Sequence, residues 1–141
     1  MLEGEIRKNS EFFNVLNEAG GIKIMFETIG WRFYINAKTK DKAQNVIKRI
    51  EKVTGKLKIS SLEQYWKDNS LFEVYCDSSF QVCEPEKAIF EVLVLVNQLG
   101  HDIEVVGPLL YENEQVEFSG YGSRTSIVGL KWFHFYLDNF R

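Results

Sequence analysis

The chain has 141 residues, 45% of them hydrophobic, 14% aromatic and 26% charged, with a formal net charge of −3. That supplies apolar material for one core and too little length for two comfortable domains, so a single domain over 1–141 is expected and a disordered chain is excluded. The charge is unevenly spread: residues 1–70 carry a net +4 and residues 71–141 a net −7, and from Glu73 to Glu117 ten carboxylates share the stretch with one base, Lys87.

The opening, MLEGEIRKNSEFF, has acid before base and no apolar stretch, so it does not read as a signal peptide. Ser10 is placed to cap a short helix over Glu11 to Ala19, closed by Gly20 and Gly21. Ile22 to Ile29 reads as an added strand that turns at Gly30 into Trp31. The core is expected over about 31–106, with the added helix and strand at 10–29 and further strands at 109–138.

Two segments of the core look like one construction used twice. WRFYINAKT reads as a strand, and the Ala43, Val46, Ile47, Ile50 and Val53 spacing predicts a helix ending at Gly55, after which KLKIS resumes as a strand. LFEVYCD alternates with period two. Pro85 suits the first turn of a second helix, AIFEVLVLVNQL, and Gly100 ends it before HDIEVV. Two β-α-β units in series are the ferredoxin-like, split β-α-β plan, an α+β fold in which both helices cover one face of an antiparallel sheet. Phe33, Ile35, Ile47, Ile50, Val74, Phe90 and Leu93 are the expected core. The second helix has almost no polar face, which predicts burial on all sides.

After Pro108, Gln115–Tyr121 and Ser126–Leu137 read as two more strands, with Gly120, Gly122 and Ser123 turning between or within them. The last strand is aromatic on both faces, as in a strand covered on both sides or one that keeps a side for a partner. The sheet is expected to have six or seven strands.

Catalytic patterns are missing. His101 and His134 are the two histidines, and neither stands in a metal or nucleophile motif. Cys76 and Cys83 fit neither a zinc ribbon nor a redox pair, so Cys76 reads as a small buried hydrophobe and the compartment as the cytoplasm. SGYGSRTS lacks the lysine of a phosphate loop, and Glu112, Glu114 and Glu117 lack calcium-loop spacing. The longest apolar run, Val92–Val96, has five residues. Crossing a bilayer takes roughly 20. No enzyme activity, metal, cofactor or membrane is expected. Nucleic acid is disfavoured because Glu73 and Asp77 would repel phosphates beside Tyr75 on the face opposite the helices.

What the acid does favour is a basic protein. YENEQVEFSGY sets Tyr111, Phe118 and Tyr121 among Glu112, Glu114 and Glu117, an arrangement of aromatic anchors with a charged surround. In size, charge and construction over the whole chain, and without a shared motif, the protein resembles the immunity proteins of bacterial contact-dependent growth inhibition and related polymorphic toxin systems. That resemblance implies a cognate basic toxin, often a nuclease, captured by electrostatic steering and blocked at its active site by carboxylates standing in for phosphates. The expected partner-binding set is Glu104, Tyr111, Glu112, Glu114, Glu117, Phe118 and Tyr121. The alternative is a ferredoxin-like module that senses a small molecule or regulates a partner.

Overall fold

Alternation and helical spacing turn into elements much as read. In the computed structural model, which describes residues 25–140, β1 (Phe26–Asn36) leads to α1 (Lys40–Thr54), β2 (Leu57–Gln64) and β3 (Leu71–Val82). Then come α2 (Pro85–Leu99), β4 (Gly100–His101), β5 (Glu104–Leu110), a 3-10 turn (Glu112–Glu114), β6 (Val116–Gly122), β7 (Arg124–Thr125) and β8 (Leu130–Asp138). Six strands form one antiparallel sheet in the order β2-β3-β1-β8-β6-β5, and β4 pairs with β7 in a small separate ladder. This is an α+β fold, consistent with a split β-α-β core extended by extra strands. The expected helix over Glu11–Ala19 lies outside the described residues.

Local chemistry sets the helix ends. Thr39 accepts the Lys42 amide at 3.2 Å and caps α1, and Gly55 at φ +80° donates its amide to the Glu51 carbonyl. Pro85 occupies the start of α2, where its missing N–H costs nothing. The helices touch one another and the sheet. Ala43, Val46, Ile47 and Ile50 of α1 and Ala88, Val92, Val96 and Leu99 of α2 join Phe33, Ile35, Val74, Phe133 and Phe135 in one core. Each fully buried phenylalanine there contributes roughly 1.5–3 kcal/mol by removal from water.

Four readings change. Gly30 is no turn: β1 runs unbroken through it. The segment expected to close the core, HDIEVV, splits into β4 and β5, and β5 lies at the sheet edge, while β8 takes the place beside β1. The reason is in the sequence of each strand. β5 carries Gly107 and Pro108 where its pairing with β6 shifts register, and proline is tolerated at edges and bulges; β8, after a register shift against β1 near Leu130, alternates strictly from Trp132 to Asp138. Gly120 and Gly122 are strand residues, not turn residues. A Cβ on Gly120 would stand 2.4 Å from the Phe135 ring and one on Gly122 2.6 Å from the Phe133 ring, so both glycines make room for aromatics of the neighbouring strand. Finally, α2 is not buried all round. Val92 and Val96 face the sheet, but Phe90, one of the expected core residues, is 67% exposed, and Val94 is exposed with it. Leu93 is partly buried.

Candidate functional site

The side of the sheet away from the helices is covered by no described element, and the strand register lays its side chains out in rows. One row crosses five strands: Tyr75 on β3 lies opposite Arg32 on β1, then His134 on β8, Tyr121 on β6 and Glu104 on β5. The next row is Asp77, Gly30, Tyr136, Ser119 and Val106. Two residues the other way along the strands stand Glu73, Tyr34 and Trp132.

The Tyr34 row is closed. Its ring stacks on Trp132 with centroids 4.6 Å apart and meets the edge of Tyr65 at 4.9 Å. The Tyr34 hydroxyl donates to Glu73 Oε2 at 2.7 Å. Burial, helped by that carboxylate, pushes the phenol up to about 12.

The other two rows form the floor of a trough of about 920 Å³. Its acidic lining residues are Glu27, Asp77, Glu104 and Asp138; its bases are Arg32 and His134, with Tyr75, Tyr121, Tyr136 and Phe140 as aromatics. The Arg32 guanidinium lies over the Tyr75 ring, 4.7 Å from its centroid, so a cation–π pair already exists in the trough. Burial, with a smaller push from Arg32, lowers the His134 pKa below its ordinary value, which leaves the imidazole neutral at pH 7. Asp77 and Glu104 have no cation within salt-bridge distance among the described residues.

At the far end, Glu117 accepts from two phenols, Tyr111 at 3.0 Å and Tyr136. The hydrogen bond to Glu117 raises the Tyr111 pKa, whereas burial leads the rise at Tyr136, with Glu117 second. Asn139 fixes the adjoining turn by accepting the Val116 amide at 2.7 Å and donating to the Glu114 carbonyl at 3.2 Å.

The seven expected partner-binding residues therefore separate. Glu104 and Tyr121 face each other in the trough, and Glu117 and Tyr111 sit at its rim end. Glu112 and Glu114 are exposed on the turn; Glu114 lines a second hollow of about 510 Å³ with Pro85, Leu110 and Tyr111. Phe118 must be withdrawn as a surface anchor: it is 2% exposed and packs on Phe135 on the helix side, because its strand parity is opposite to that of Glu117 and Tyr121. Sequence reading put Tyr75 and Asp77 on the open side but passed over Gly30, Arg32, His134 and Tyr136 as site residues. Alternation in LKWFHFYLD carries the signal for the last two; nothing local says that this strand lies against β1.

The groups considered for catalysis stand apart. Cys76 faces the core beneath the helices, and burial pushes its thiol up to about 12, against thiolate chemistry. His134 projects from the opposite face, and His101 lies in the small β4–β7 ladder opposite Arg124. Arg124 pairs with Asp102 at 3.2 Å. Among the described residues, no three His, Cys, Asp or Glu side chains group as a metal site, and no helix is long and apolar enough to cross a membrane.

No family model, curated protein or solved structure matches the chain.

Proposed function

We propose that this chain is an immunity-type binding protein of the cytoplasm, whose open sheet face captures a basic toxin domain, often a nuclease, and blocks its active site. The observation that carries the reading is the trough, where acid outnumbers base and two carboxylates beside tyrosine rings have no cation within salt-bridge distance among the described residues. Such a surface offers a cationic partner both long-range attraction and aromatic contact area on arrival. The interface moves accordingly from the β5–β6 turn to the trough, with Glu104 and Tyr121 retained from the expected set. We also propose that β2-β3-β1-β8 is a ferredoxin-like core, with β8 as its fourth strand and β6 and β5 as the extension.

The test is co-expression with a toxin domain encoded beside this chain. Protection by the native chain, lost on combining Asp77→Lys with Glu104→Lys, is expected; protection that survives both reversals would remove the trough from the interface. One observation favours a second reading, a small-molecule sensor: the trough volume lies within the range of ligand sites. A metabolite that binds in the trough and leaves the protein unable to protect against any basic toxin would support it.

A further inference from the structure

Gly30 sits in the middle of the trough floor with no side chain of its own. Its neighbours across the strands are Asp77 on one side and Tyr136 on the other. A Cβ built there meets the Tyr136 backbone oxygen at 3.6 Å and Cβ at 3.8 Å, which is ordinary contact, so a small side chain would fit over Gly30 without displacing its neighbours. Both flanking groups leave room for it. The Tyr136 hydroxyl is drawn toward Glu117 on β6, away from β1, and Arg32 is folded over Tyr75 in the adjacent row. Asp77 stands between the opening and Lys58, its partner in register on β2, and no cation lies within salt-bridge distance of it among the described residues.

We propose that this well is the seat of one basic side chain, an arginine or lysine of the protein partner, held between the Asp77 carboxylate and the Tyr136 ring. The inference rests on the basic-partner reading and adds to it where on the face the anchor enters. A cation entering a site with an aromatic wall and a carboxylate exchanges water for both at once, and such centrally placed contacts dominate interface energetics. Glu104 and Asp138, also in the trough lining, then act as the surround that attracts and orients.

The test uses the full chain and octa-arginine as probe, titrated at low and at physiological salt. Gly30→Val fills the well without altering any charge, and a β-branched residue suits a strand. Asp77→Asn removes the charge without altering the shape, and circular dichroism checks that each variant is folded. Each variant is expected to weaken binding roughly tenfold, as loss of a central anchor does. Peptide binding that neither variant changes would overturn the well and leave the basic-partner reading standing. A loss in Asp77→Asn alone would also overturn it, since a diffuse acidic patch needs no space above Gly30. Failure of the native chain to bind the peptide would overturn both readings. Spermidine binding as tightly as the peptide would overturn a protein side chain as the source of the cation.

Discussion

The same three strands build two unlike rows only four residues apart on one face. In the Tyr34 row the carboxylate, Glu73, is satisfied by a phenol and the ring lies between Trp132 and Tyr65, leaving Tyr34 3% exposed. In the Gly30 row the corresponding carboxylate, Asp77, has no cation within salt-bridge distance among the described residues, and the central residue has no ring at all. A buried polar group must find a partner inside the protein, whereas one at an open trough can be satisfied by water and stays accessible from outside. The first row stabilises the fold and the second is the place to look for binding.

That contrast is broken most severely by Tyr34→Ala, which removes a buried ring and strands Glu73. A loss of about 3–4 kcal/mol in urea unfolding is expected, in the range for large-to-small aromatic changes. Tyr136→Ala, in the other row, should lose far less stability; equal losses would mean that both rows are structural. Next in size is the pair of reversals Asp77→Lys and Glu104→Lys. Stability should stay within ~0.5 kcal/mol per site, while association with a basic partner slows by about tenfold at low salt and by less as salt screens the field. Stopped-flow rates at two ionic strengths decide this.

Tyr34→Phe sharpens the comparison, because it keeps the ring and removes only the hydroxyl. An expected cost of about 1–2 kcal/mol isolates the Glu73 hydrogen bond from the aromatic packing. The smallest effect is the pH response of His134. Its folded pKa lies below the ordinary 6.5 because of burial and Arg32, so the unfolded chain takes the proton first. Its contribution is therefore complete above about pH 6.5 and is lost as pH falls from there toward the folded pKa. Protonation also adds a second positive charge beside Arg32, so affinity for a basic ligand should fall over the same window. His134→Gln should flatten this part of both curves; an unchanged slope would assign it to carboxylates.

Much of this was legible before any coordinates. The helical spacing from Ala43 to Val53 and the Pro85 start located both helices, and alternation placed Tyr75 and Asp77 on the face opposite the core residue Val74. Phe118 and Phe90 show where such reading fails. Proximity in sequence groups Phe118 with its acidic neighbours although its strand parity sends it inward, and hydrophobicity alone makes Phe90 core because a helix apolar all round cannot reveal which side meets the sheet.

Periodicity is a local property, so the sequence by itself determined the helices, most strands, the charge asymmetry and the two-sided character of β1 and β3. Which strands become neighbours depends on pairings between residues far apart in the chain, and here only the tertiary structure decided. Arg32 meets His134 because β8 lies beside β1, and β8 takes that interior place while the proline-bearing β5 is left at the edge. The trough, and the gap that Gly30 leaves in its floor, exist only once β1, β3, β8, β6 and β5 stand side by side.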